Sequence, residues 1–116
     1  MIILYGISNC DKVRKTRAWL AQHNVDYDFH DYKKLGCNQD LATQLIRSFG
    51  VDQVINTRGT TWRQLDPAER ESLDENRAVQ LMQQYPSLIK RPILKVDDSW
   101  LLGYDTARMA ALIDTQ

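Results

Sequence analysis

The sequence is poor in cysteine, the residue that dominates disulfide-rich and zinc-binding domains. Among 116 residues it has only two, Cys10 and Cys37. Their separation matches neither a CxxC redox pair nor a pair of zinc ligands, and His23 and His30 share no ligand spacing with them. We therefore expect no disulfide framework and no metal site, and we expect both cysteines to be thiols in a reducing compartment.

The chain also lacks an excess of either charge and any long apolar run. Fifteen Lys and Arg balance 15 Asp and Glu, so no overall positive field favours nucleic acid or an anionic membrane. No apolar run approaches the length of a membrane span, and no basic segment or cleavage site precedes the first apolar residues. We expect a cytoplasmic monomer that binds neither nucleic acid nor membrane.

What is present is an alternation of strand and helix patterns. Residues 2–5 form an apolar run that Gly6 ends, and residues 11–22 carry helix formers with one apolar face. Residues 27–32 then alternate aromatic and polar side chains, as a half-buried strand does. This β-α-β pattern predicts two parallel strands joined by a helix.

The middle of the chain has helical patterns instead. Residues 41–49 follow helical spacing up to Gly50, Asp66 and Pro67 start another helix, and residues 78–82 belong to a third that ends near Pro86. Residues 93–102 then predict a β-hairpin that turns at Asp97 and Asp98, and residues 106–113 predict a closing helix. The prediction is a single α/β domain over residues 1–116. It has a four-stranded mixed sheet and a helical insert at about residues 37–85, between the second and third strands.

Cys10 lies at the start of the first predicted helix, where a cysteine is most easily activated as a thiolate. It follows the turn after the first strand and opens the first helix, where free N–H groups and the helix dipole favour an anion. Lys12 and Arg14 add positive charge within one turn, and Asp11 opposes them in part. Such surroundings lower the pKa of a cysteine, so we interpret Cys10 as a nucleophile rather than a small buried hydrophobe.

No second thiol stands three residues after Cys10, because that position is Val13. Cys37 is either a resolving thiol or an ordinary loop thiol, and a disulfide requires Cα atoms within about 7 Å. The arginine of a tyrosine-phosphatase loop would fall at position 16, which is Thr16, so that interpretation fails. Arg58, in a polar loop, and Arg91, just before Pro92, are candidates for binding carboxylates or oxyanions.

Three ordered segments, residues 5–15, 55–58 and 86–93, resemble the signature blocks of the glutaredoxin-linked arsenate reductases and the related Spx and YffB-like proteins. The resemblance covers nearly all of the chain and implies a thioredoxin-like fold with a helical insert. It implies that Cys10 is the nucleophile and that the Arg91-Pro92 bond is cis. It also implies that Arg58 and Arg91 face Cys10. We predict that Asn9, Lys12, Arg58, Arg91 and Pro92 bind the substrate.

Two departures from these signatures narrow the function. The arsenate reductases use a third arginine in a stretch matched here by residues 102–105, where Gly103 stands, and Spx proteins carry CxxC where this chain has Val13. The remaining resemblance is to the YffB-like branch. We therefore expect a glutathione-dependent thiol reductase acting on a small disulfide or oxyanion. It would have no tightly bound cofactor, glutathione as co-substrate and glutaredoxin as a further partner. A Spx-like RNA polymerase-binding regulator and a glutaredoxin-coupled arsenate reductase remain the alternatives.

Overall fold

The computed structural model describes residues 1–71 and 73–114. The chain divides into two compact units. Residues 1–35 and the segment from Arg91 onward form the first, which we call the α/β unit, and residues 36–90 form the second, the helical unit.

The described residues contain four strands and eight α-helices. The strands are β1 Ile2–Gly6, β2 Asp28–Asp31, β3 Ile93–Val96 and β4 Ser99–Leu102. The helices are α1 Asp11–Gln22, α2 Tyr32–Leu35, α3 Gln39–Phe49, α4 Val51–Val54, α5 Thr60–Gln64, α6 Pro67–Glu71, α7 Glu75–Gln84 and α8 Thr106–Asp114, with a short 3₁₀ turn at Pro86–Leu88.

The α/β unit is built on a mixed sheet with the strand order β2-β1-β3-β4. Strand β1 runs parallel to β2, while β3 is antiparallel to both β1 and β4. This β-α-β unit followed by a β-hairpin and a closing helix is the thioredoxin-like arrangement. The predicted fold class, including the mixed sheet and the parallel first pair, is confirmed.

One face of this sheet carries the core of the α/β unit. Because side chains alternate along a strand, every second residue of β1 and β3 points to the same side, where α1 and α8 contribute further apolar side chains. The buried members of this cluster are Ile2, Leu4, Val13, Leu20, Leu94, Val96, Leu101 and Met109. The seven-residue spacing of Val13 and Leu20 is two turns of helix, which explains why α1 presents one apolar face.

Strand β2 is shorter than the predicted strand over residues 27–32. The Asp31 carboxylate accepts a hydrogen bond from the Lys33 N–H at 2.9 Å, so the chain turns into α2 directly after the strand. Such a local side-chain bond offers the backbone an alternative to the strand ladder. Tyr32 therefore begins a helix, although the aromatic alternation alone suggested that it ends a strand.

Capping residues define the ends of helices in the helical unit. Asn38 accepts the Leu41 N–H at 2.8 Å at the start of α3, and Asp74 accepts the Arg77 N–H at 2.8 Å at the start of α7. Gly50 ends α3 with a φ of +82°, the left-handed conformation that glycine adopts most readily. The unit extends to Lys90, whose N–H donates to the Val54 carbonyl at 2.8 Å.

A substitution at Gly6 tests the packing beneath the turn that leads to Cys10. A Cβ at position 6 would lie 2.6 Å from Cγ2 of the buried Val13, closer than real contacts allow. We expect Gly6→Ala to lower the free energy of unfolding by about 1–3 kcal/mol through overpacking, measured by urea denaturation. The double variant with Val13→Ala should cost less than the sum of the two single variants, and strictly additive costs would contradict the proposed clash.

Candidate active site

Cys10 is the last residue of the turn between β1 and α1. Cys10 has an extended backbone, with φ −106° and ψ 128°, and α1 begins at the next residue. Its side chain is half-buried and packs against the edge of the α/β core. The sulfur therefore lies beside the first N–H groups of the helix, which have no partners within the helix, as the sequence predicted.

The surroundings of Cys10 favour its thiolate. Partial burial raises the pKa of Cys10, but the backbone N–H of Val13, the Arg91 side chain and the backbone N–H of Lys12 together lower it below its ordinary value. The Arg91 guanidinium acts both as a hydrogen-bond donor and as a positive charge. Because the folded protein favours the thiolate, its stabilisation is present above the ordinary pKa and is lost as the pH falls through the folded-state pKa.

The positive charge beside Cys10 comes from a different residue than the sequence suggested. Lys12 contributes its backbone N–H, and its side chain is exposed. The Arg14 guanidinium forms an ion pair with Asp11 at 2.5 Å and reaches the Ser8 carbonyl at 3.5 Å. Arg91, which the resemblance implied would face Cys10, therefore supplies the charge that was expected from Lys12 and Arg14.

Arg91 and Pro92 belong to the same unit as Cys10. The Arg91-Pro92 peptide bond is cis, as the resemblance implied, and the buried Pro92 leads directly into β3. The Pro92 carbonyl accepts the Gly103 N–H at 2.8 Å, and Gly103 has a φ of +93°. From the sequence, Gly103 had no predicted part in the site except as the place of a missing arginine.

The other predicted site residues are placed as follows. Asn9 is exposed in the turn that precedes Cys10. Arg58 is exposed in the helical unit, where its N–H donates to the Asn56 side chain at 3.1 Å and its carbonyl accepts from Arg63 at 2.8 Å. The structure thus brings the Arg91 side chain and the Lys12 backbone N–H to Cys10, and it places Asn9 and Pro92 in the same unit. The role of Arg58 stays a prediction.

The two positions considered for a second thiol are both buried. Val13 is fully buried in the α/β core, and its side chain packs against Gly6. Cys37 is only 5% exposed, burial raises its pKa to about 11, and its sulfur lies 3.8 Å from the Asn38 carbonyl. Cys37 is therefore a protonated thiol at neutral pH, which makes it a poor nucleophile.

Within residues 1–71 and 73–114, no three His, Cys, Asp or Glu side chains cluster as metal ligands. Over the same residues, no helix has both the length and the apolar character that crossing a membrane requires.

Comparison with protein families identifies the chain. Residues 5–112 match the model of the ArsC family. The chain belongs to the ArsC family. This assignment confirms the resemblance that the three signature segments carry.

Individual relatives of this ArsC-family chain agree with that assignment. An uncharacterised protein of Haemophilus influenzae is 44% identical over 105 residues, which cover 90% of this chain and 92% of the relative. The global transcriptional regulator Spx of Listeria innocua is 30% identical over 107 residues, covering 90% of this chain and 81% of Spx. The solved structure of a protein named YFFB is 42% identical with a TM-score of 0.92, covering 97% of this chain and 98% of that one.

Proposed function

We propose that this ArsC-family protein is a thiol reductase that uses Cys10 as its single nucleophile and glutathione as the external thiol. The observation that carries the proposal is the Cys10 thiol at the start of α1, with the Arg91 guanidinium and two backbone N–H groups lowering its pKa. A thiolate, not a thiol, attacks disulfides. A cysteine poised in this way at neutral pH is suited to that reaction.

In the first step the Cys10 thiolate attacks one sulfur of a small disulfide. The substrate S–S bond breaks, a mixed disulfide forms on Cys10, and the second substrate sulfur leaves as a thiolate that takes a proton from water. In the second step the thiolate of glutathione attacks the substrate sulfur of this mixed disulfide. Cys10 returns as a thiolate, and the released half leaves joined to glutathione, from which a second glutathione completes the reduction.

The need for an external thiol follows from Val13. An internal resolving cysteine would stand at position 13, and the side chain there is a buried valine. Cys37 offers no ready substitute because burial raises its pKa to about 11. Glutathione is a small thiol whose carboxylates suit guanidinium groups, so in this proposal Arg91 binds one of them, with Asn9, Lys12 and Pro92 bordering the substrate. A role for Arg58 in binding glutathione stays a prediction from the resemblance.

The experiment that tests the proposal maps where glutathione attaches. The reduced protein is incubated with oxidised glutathione and its peptides are analysed by mass spectrometry, with Cys10→Ser and Cys37→Ser as matched variants. We expect a mixed disulfide on Cys10 in the wild type and in Cys37→Ser, and none in Cys10→Ser. The proposal further requires that reduced glutathione removes it and that a small disulfide is turned over. Modification of Cys37 alone would refute it.

A second candidate is a Spx-like regulator that binds RNA polymerase. The 30% identity to Spx over 90% of this chain favours it, whereas Val13 removes the CxxC pair expected of Spx. Under this function Cys10 is dispensable for binding. Retention of polymerase on both the wild type and Cys10→Ser, without any turnover of glutathione, would support the regulator over the reductase.

Arsenate reduction coupled to glutaredoxin is the third candidate, in keeping with the family. Position 103, matched to the stretch that carries the third arginine, has a backbone φ of +93° that side chains rarely adopt. Without that arginine an arsenate would lose a charge-assisted contact of about 1.5–3 kcal/mol. Turnover in a glutaredoxin-coupled arsenate assay at a rate above that with small disulfides would favour this activity.

A further inference from the structure

We propose that Gly103 is a positioning residue of the Cys10 site, which holds Arg91 against Cys10 through the backbone of Pro92. The proposal rests on the role of Cys10 as the nucleophile and not on the identity of the substrate. Gly103 has no side chain with which to reach the sulfur or a ligand, so it acts only through its backbone.

A backbone hydrogen bond joins Gly103 to Pro92. In the β3–β4 hairpin Ile93 pairs with Leu102, so Pro92 and Gly103 are the next pair along the ladder. The Gly103 N–H donates to the Pro92 carbonyl at 2.8 Å. This bond fixes the residue that directly follows Arg91 to the end of β4.

Gly103 itself has a left-handed backbone conformation. Its φ of +93° turns the chain out of β4 immediately after the hydrogen bond to Pro92. Two residues later Asp105 caps α8, accepting the Arg108 N–H at 3.1 Å on its side chain and the Met109 N–H at 2.9 Å on its carbonyl. Met109 is fully buried. Gly103 is thus anchored on both sides, by Pro92 and by the start of α8.

Crowding is not the reason that position 103 favours glycine. A Cβ built on Gly103 meets no atom within 4 Å, so a side chain has room. A side chain at position 103 would instead disfavour the left-handed backbone conformation, because L-residues with a Cβ avoid positive φ. Relaxing φ toward negative values must shift the N–H that holds Pro92 or the Asp105 cap, and a shift at Pro92 moves Arg91 relative to Cys10.

The test uses alkylation of Cys10 by iodoacetamide, followed by peptide mass spectrometry as a function of pH. In Gly103→Ala we expect the pH midpoint to rise and the rate at pH 7 to fall several-fold. Gly103→Asn should stay close to the wild type, because asparagine tolerates positive φ. Gly50→Ala is the matched control, since Gly50 also has a positive φ, of +82°, and open space, but donates its N–H to Ile46 in the helical unit.

A double variant separates positioning from general loosening of the fold. If Gly103 acts through Arg91, then Gly103→Ala adds no further change to the pH midpoint in an Arg91→Ala background. A midpoint equal to the wild type in Gly103→Ala overturns the proposal, and so does an equal rise in Gly50→Ala. A shifted midpoint together with no turnover of glutathione would support Gly103 while refuting the reductase, so the two failures are distinguishable.

Discussion

Iodoacetamide at pH 7.4 is expected to label Cys10 at least about a hundredfold faster than Cys37 in the folded protein. The Cys37 side chain is 5% exposed, and burial raises its pKa to about 11. On the order of one Cys37 in several thousand is then a thiolate at this pH, before access to the reagent is considered. Cys10 is half-buried and its pKa lies below the ordinary value. Timed quenching and peptide mass spectrometry measure both rates in one sample.

Unfolding and pH provide the controls for this comparison. In concentrated guanidinium chloride the two rates should converge, since both environments are lost. The neutral thiol of Cys37 stabilises the fold below the ordinary pKa of 9.0, and this contribution is lost as the pH rises toward about 11. Labelling of Cys37 should therefore increase above pH 9. Native Cys37 rates within tenfold of those of Cys10 at pH 7.4 would show that Cys37 is an accessible second thiol.

Arg91→Ala is expected to reduce kcat/KM for a small glutathione-linked disulfide by about 10- to 100-fold. Two effects add. The variant removes one of the hydrogen bonds and the charge that lower the pKa of Cys10, so the pKa rises relative to the wild type, with the backbone N–H groups of Val13 and Lys12 still opposing burial. It also removes a guanidinium that we propose binds a carboxylate of the substrate, a charge-assisted contact of about 1.5–3 kcal/mol. Steady-state kinetics and the pH profile of Cys10 alkylation measure the two effects separately.

Arg91→Lys is the matched variant, since it keeps the charge and loses the planar fork of donors. We expect it to retain most of the effect on the Cys10 pKa and less of the substrate affinity. Urea denaturation of each variant shows whether the fold is retained. An unchanged alkylation profile in folded Arg91→Ala would mean that Arg91 does not set the reactivity of Cys10, and the proposed site would need another cation.

Local sequence patterns predicted most of the fold because they reflect local physical constraints. Helix α1 occupies the predicted residues 11–22. The signals that define it, its apolar spacing and the turn before it, lie within a short stretch of sequence and need no distant contacts. The register of the hairpin follows from its two-residue turn at Asp97 and Asp98. Counting outward from this turn along both strands places Pro92 opposite Gly103. Short helices such as α2 and α4 were missed because four residues give too little periodicity to detect.

The reactive position of Cys10 was determined by the sequence alone, because a strand, a short turn and a helix N-terminus are neighbours along the chain. The absence of a second thiol at position 13 was equally a matter of sequence. The charge partner of Cys10 was decided by the tertiary structure. Lys12 and Arg14 are near in sequence, but Arg14 pairs with Asp11, while antiparallel pairing of β3 with β1 brings Arg91 to the sulfur. Electrostatic interactions depend on distance in space, and only the folded sheet sets that distance.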